Sequence, residues 1–114
     1  MRRTLLLLAA FVSGCSKGPE ADLQYIKQAR SLAAEWALIN RHAEAGAVTR
    51  TYAESMHQWL HDGLQTASVS LTQPNSAYGA EIRALTAEPE DAAPDRLRSH
   101  SEALKQIEDK LESA

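Results

Sequence analysis

The stretch Tyr25–Ala43, YIKQARSLAAEWALINRHA, decides the fold of this chain. Its apolar residues recur at alternating spacings of four and three, which places them on one side of a helix. These residues are Tyr25, Ala29, Leu32, Trp36, Ile39 and Ala43. We therefore expect one long helix from about Glu20 to Ala45. Pro19 and Asp22 suit its N-terminal end, and Gly46 suits its C-terminal stop.

A second apolar stripe follows almost at once and predicts a second helix. Thr49 or Thr51 can cap its start, and Pro74 ends it after about Thr72. The stripe consists of Ala53, Met56, Leu60, Leu64, Ala67 and Leu71, and it is widened on one side by Tyr52, Trp59 and Gly63.

The connection between these helices, Gly46 to Val48, is so short that we expect an antiparallel hairpin. In that hairpin Trp36 should pack against Trp59, and Leu32 against Gly63, so that large side chains repeatedly meet small ones. The same register pairs Ala43 with Tyr52, Ile39 with Met56 and Tyr25 with Ser70.

The rest of the chain adds two helices. A turn at 75–78 should start a short helix that ends near Ala87, and an acidic linker with two prolines, Glu88 to Pro94, should lead into the last helix. The short helix buries Tyr78, Ile82 and Leu85, and the last helix carries Leu97, His100, Leu104, Ile107 and Leu111 on one side. A hairpin alone could not cover its apolar face. We therefore predict an all-α fold, in which the antiparallel hairpin is completed into a small bundle over residues 20–114.

The first residues have a different character. Arg2 and Arg3 precede an unbroken apolar run from Leu5 to Val12, which is typical of a signal-peptide core. As a helix this run would be about 12 Å long, at ~1.5 Å per residue. That is too short to span the ~30 Å hydrocarbon core of a bilayer.

The sequence VSGC at Val12–Cys15 resembles the lipobox of bacterial lipoproteins. The resemblance implies a cleaved signal peptide of residues 1–14, a covalent lipid on Cys15 and a short tether of residues 15–19. With Ser16 after the cysteine, it also implies attachment to the outer membrane, facing the periplasm. The alternative is a plain secretory signal and a free thiol, but a lone cysteine in an exported protein has no disulfide partner.

Charge excludes two classes of function. Removal of residues 1–14 takes away Arg2 and Arg3 and no acidic residue, so the net charge changes from −3 to −5. An acidic domain is no nucleic-acid binder by charge, and without clustered cations it is no polybasic membrane-surface protein. We therefore expect the lipid anchor to supply the contact with the membrane.

No catalytic motif is present in the sequence. A phosphate-binding glycine loop, a GxSxG elbow, an HExxH motif and a cysteine pair are all missing, and no nucleophile can be assembled with a base. We therefore name no catalytic residue and expect that the protein is not an enzyme.

Histidines give one candidate site. Glu54, His57 and His61 fall on one flank of the second helix, where two imidazoles a turn apart can chelate a divalent metal. Glu54 and His57 match the Glu-x-x-His element of di-iron bundles, but that site needs the element twice. Surface histidines without a special role are the favoured interpretation. For His100, on the apolar side of the last helix, we expect a hydrogen-bonded residue at the edge of the core.

Three classes of function follow. We favour a non-enzymatic envelope lipoprotein whose bundle docks onto another envelope protein and which needs no cofactor besides its covalent lipid. The alternative is a metal-binding or metal-sensing lipoprotein that uses His57 and His61. An enzyme is the least favoured class.

Overall fold

The computed structural model describes residues 18–114, which form four α-helices and no strand. The helices are α1 (Pro19–Glu44), α2 (Arg50–Val69), α3 (Ala77–Thr86) and α4 (Pro94–Ser113). The predicted all-α helical bundle is confirmed. The expected signal peptide and the lipid-bearing Cys15 lie outside the described residues.

α2 and α4 both pack on α1, and the interface between α1 and α4 is the most extensive in the described chain. α3 closes the bundle by touching all three other helices. The largest fully buried apolar side chains come from all four helices and form one core, namely Ile26, Leu60, Leu64, Ile82, Leu85, Leu97 and Leu104.

Most helices begin and end within a few residues of the predicted positions, at the caps and stop residues identified in the sequence. α1 ends before Gly46, whose φ of 71° is the left-handed conformation that favours glycine at a helix stop. Of the two predicted caps of α2, Thr49 is the one used, since its side chain accepts a hydrogen bond from the Tyr52 amide at 3.1 Å. Pro94 is the first residue of α4, as predicted.

α2 ends at Val69 and not near Thr72, and a buried carboxylate explains the difference. Asp22 of α1 is fully buried and accepts hydrogen bonds from the amides of Thr72 at 2.8 Å and Gln73 at 3.1 Å. These two amides therefore donate to Asp22 and not to carbonyls of α2, so the helix does not continue to Thr72. The Tyr78 hydroxyl donates to the same carboxylate at 2.7 Å.

Ionisation of this pair follows from the geometry. Burial by itself would raise the pKa of Asp22, but the hydrogen bonds from Thr72, Tyr78 and Gln73 outweigh it and hold that pKa below its usual value. Burial and the bond to Asp22 raise the pKa of Tyr78 to about 12. Asp22 is therefore a buried anion that ties the end of α2 and the start of α3 to α1.

The predicted register of the hairpin is confirmed at one contact. A Cβ atom added to Gly63 would lie 2.9 Å from Cδ1 of Leu32, so Leu32 does lie over the bare backbone of that glycine. The side chain of Gln28 also reaches the Gly63 carbonyl at 3.5 Å.

The predicted contact between the two tryptophans is wrong. Trp36 is 3% exposed, but Trp59 is 57% exposed and Tyr52 is 48% exposed. The Trp36 indole is drawn to the linker before α4, where its Nε1 donates to the Glu90 carbonyl at 3.0 Å. Its ring faces His57 of α2, with the ring centroids 6.4 Å apart.

Two helix glycines allow a matched test of this packing. A Cβ at Gly79 would clash with the carbonyl oxygen of Pro74, which is backbone, whereas at Gly63 it meets only the end of the Leu32 side chain. At an exposed helix site, glycine to alanine gains up to about 1 kcal/mol. We expect Gly79→Ala to lower the free energy of unfolding by about 1–3 kcal/mol instead, through overpacking.

Gly63→Ala is the control for that experiment, because Leu32 can move its terminal methyl groups. Urea unfolding of the domain from Ser16 onward measures both variants. Equal effects of the two substitutions, or a more stable Gly79→Ala protein, would show that Pro74 does not approach α3 in this way.

Candidate functional site

His57 lies in the interface between α1 and α2 and not on the open surface. Its side chain is 10% exposed, and its Nε2 is 2.7 Å from Oδ1 of Asn40. The Asn40 amide nitrogen donates to the carbonyls of Glu90 at 3.0 Å and Ala92 at 2.8 Å, which fixes the orientation of that amide. Its oxygen must then accept, so His57 carries a hydrogen on Nε2.

This hydrogen bond limits what His57 can bind. In the neutral ring, the lone pair left for a ligand is on Nδ1, which faces Oε1 of Glu90 at 4.0 Å. His61 and Glu54 are exposed, and the structure does not bring their ligand atoms together with His57 within 4.8 Å. A metal site at Glu54, His57 and His61 therefore stays a prediction that requires some rearrangement of these side chains.

In residues 18–114, one group does bring three acidic side chains within 4.8 Å of one another: Glu108, Asp109 and Glu112 of α4. Two of the three are already paired. Glu108 accepts from Nε of Arg30 at 2.6 Å, and Glu112 lies 2.8 Å from Nζ of Lys27. These ion pairs join α4 to α1 and account for the acidic group without a ligand.

A polar clamp made by Trp36 and Asn40 holds the linker before α4. Both side chains donate to the Glu90 carbonyl, and Asn40 also donates to the Ala92 carbonyl. Asn40 was not among the residues expected from the sequence. Its position four residues after Trp36, on the same side of α1, is the feature that could have identified it.

The outer side of α2 carries an aromatic face, by which we mean Tyr52 and Trp59. Their spacing of seven residues puts them on one side of the helix, about 10 Å apart along its axis at ~1.5 Å per residue. Next to Trp59 the surface is polar, and the Gln58 side chain donates to Asp62 at 3.2 Å. Such side chains combine an apolar ring with a polar group, and they are enriched at protein interfaces.

His100 lies at the edge of the core between α3 and α4 and is hydrogen-bonded, as expected, to Glu81 and Glu88. Within residues 18–114, no helix is both long enough and apolar enough to cross a bilayer. Comparisons with protein-family models, with curated proteins and with solved structures give no match.

The metal prediction can be tested without disturbing the packing. If His57 and His61 chelate a divalent cation, micromolar zinc or nickel should raise the midpoint of thermal unfolding. At a metal concentration of a hundred times Kd, the expected stabilisation of the folded state is about 2.7 kcal/mol. His61→Ala should abolish that shift and leave the metal-free midpoint unchanged, because His61 is exposed.

His42→Ala, at an exposed histidine of α1, is the matched control. A wild-type protein that shows no metal-dependent shift, or an equal shift in His61→Ala, would remove the metal-binding hypothesis.

Proposed function

We propose that this chain is a non-enzymatic, lipid-anchored protein of the cell envelope that contacts a partner protein through the aromatic face of α2. The lipid anchor rests on the sequence VSGC at Val12–Cys15, and Ser16 after the cysteine favours the outer membrane, facing the periplasm. The docking role rests on one observation, the 57% exposure of Trp59.

A tryptophan is a costly residue to leave in water. The side chain buries up to about 150–250 Å² when it is covered, and tryptophan and tyrosine are enriched among the residues that dominate binding energy at interfaces. Trp59 and Tyr52 lie on one helix, so their positions are set before a partner arrives. Such preorganisation lowers the entropic cost of binding.

The two tryptophans contribute differently. Trp36 is buried and clamps the linker, so the fold uses it fully. Trp59 is largely exposed, and its neighbours on α2, His61 and Asp62, are exposed polar residues like those around the centre of a protein interface. A partner that covers the aromatic face would bury apolar area that the isolated domain leaves in water.

These roles predict that the same substitution, tryptophan to alanine, has a large effect on stability at one position and a small effect at the other. Trp36→Ala should lower the free energy of unfolding by about 3–5 kcal/mol. Trp59→Ala should change it by less than about 0.5 kcal/mol. In cells that make the full chain, a photo-crosslinking amino acid at Tyr52 should give a discrete adduct, and Trp59→Ala in the same chain should abolish it.

A crosslinker at Lys105, on the exposed side of α4, is the control and should not give this adduct. Persistence of the Tyr52 adduct in Trp59→Ala, or the same adducts from Tyr52 and Lys105, would contradict docking through the aromatic face. A large loss of stability in Trp59→Ala would show that Trp59 belongs to the fold.

The anchor has a separate test. Mass spectrometry of the mature protein should find Cys15 as its first residue, carrying lipid, and Cys15→Ser should release the protein from the membrane fraction. An unmodified thiol at Cys15, or unchanged membrane attachment of Cys15→Ser, would refute the lipoprotein assignment.

A further inference from the structure

His100 of α4 sits between two carboxylates from other parts of the chain. Its Nδ1 is 2.5 Å from Oε2 of Glu81 in α3, and its Nε2 is 2.7 Å from Oε2 of Glu88 in the linker. The three side chains are 15%, 27% and 6% exposed, respectively. The imidazole therefore joins three segments of the chain in a region that is largely closed to water.

Counting hydrogens fixes the state of this ring. A neutral imidazole has one N–H and one lone pair, and a carboxylate can only accept. Both nitrogens of His100 face carboxylate oxygens, so both must donate. With carboxylates as the acceptors on both sides, His100 is the imidazolium cation.

Glu88 depends on that cation. Its Oε1 is buried without a hydrogen-bond partner, so the carboxylate is held through Oε2 alone. There it accepts from His100 and from Nε of Arg96 at 2.9 Å, but the Arg96 side chain is 69% exposed and is screened by water. A neutral His100 keeps one N–H and can donate to only one of Glu81 and Glu88, so the other carboxylate faces a ring lone pair, which is unfavourable.

We propose that His100 is a pH-operated latch, which as an imidazolium holds Glu81 and Glu88 together and on losing one proton can hold only one of them, which loosens the connection between α3 and α4. The other end of the linker stays fixed, because Trp36 and Asn40 bind the carbonyls of Glu90 and Ala92. The opening is therefore local and leaves the bundle folded.

The charged groups around the latch come from each neighbouring segment. α3 supplies Glu81, the linker supplies Glu88, and α4 itself supplies Arg96. From α1, Arg30 accepts a hydrogen bond from Ser101 through its carbonyl, but its guanidinium is paired with Glu108. These groups leave His100 facing net negative charge.

The direction of the pH dependence follows. Burial by itself would lower the pKa of His100, but the hydrogen bonds to Glu81 and Glu88 outweigh it and raise that pKa above 6.5. The stabilisation is thus fully present below pH 6.5 and is lost as the pH rises through the raised pKa. Burial would raise the pKa of Glu88, but His100 and Arg96 bring it below 4.5, so its contribution is lost only as the pH falls through that lower value.

NMR titration of the full chain in detergent micelles tests the latch directly. The His100 ring should titrate above 6.5, and amide hydrogen exchange at residues 86–89 should speed up across the same pH range, beyond the intrinsic base catalysis. The midpoint of thermal unfolding should fall by roughly 4–8 °C, the size expected for one lost interaction in a domain of this length.

His100→Gln should have the lower midpoint already at pH 6 and should lose the pH-dependent fall, while His61→Gln, at an exposed histidine, should behave as the wild type. If His100→Gln does not fold, Glu81→Gln replaces it and should lower the pKa of His100 without removing the ring. The proposal is overturned if His100 titrates at or below 6.5, if the midpoint of His100→Gln follows the wild-type pH profile, or if exchange at residues 86–89 does not follow the His100 titration.

Discussion

α1 is packed on two sides, because α2 and α4 both contact it and do not contact each other. Its buried alanines recur every four residues, at Ala29, Ala33 and Ala37. Such small side chains let a neighbouring helix approach the backbone closely. The hydrogen bond from Ser101 of α4 to the Arg30 carbonyl, at 3.1 Å, shows how close α4 comes. A helix that is buried on two sides leaves little tolerance for larger residues along this stripe.

The same helix also completes the hydrogen bonds of the irregular segments. Asp22, near its start, binds two amides just after the end of α2, and Asn40, near its end, binds two carbonyls of the linker. These two residues are about 27 Å apart along the helix, at ~1.5 Å per residue. Buried backbone groups need partners, and here α1 side chains supply them for both of these non-helical segments. Side chains of α1 therefore hold both of these segments against the bundle.

Periodicity in the sequence was enough to predict four helices, their ends to within a few residues, and the contact of Leu32 with Gly63. The predicted stripe left out Ile26, Ala33 and Ala37, which are also buried. It could not show the roles of Asp22 and Asn40 either, because these are polar residues whose partners lie some fifty positions away in the sequence. The same limit applies to Trp36. A four-and-three spacing specifies the side of a helix but not the residue that accepts a hydrogen bond from the Trp36 indole. Here that residue is Glu90 of the linker. For the candidate site, the spacing of Glu54, His57 and His61 correctly places them on α2. It does not reveal that Nε2 of His57 is already hydrogen-bonded to Asn40.

The side chains that make no contact within the core are the ones that bear most on function. Trp36 and Asn40 bind the linker, and His57 is hydrogen-bonded to Asn40. The acidic residues Glu108 and Glu112 near the end of α4 are paired with cations of α1. The fold therefore accounts for most of the side chains that could carry chemistry. Trp59 and Tyr52 are different, because about half of each of these aromatic side chains remains exposed to solvent. A molecule that covered these two rings would remove apolar area from water, and for this reason we propose the outer side of α2, and not the histidines, as the docking surface.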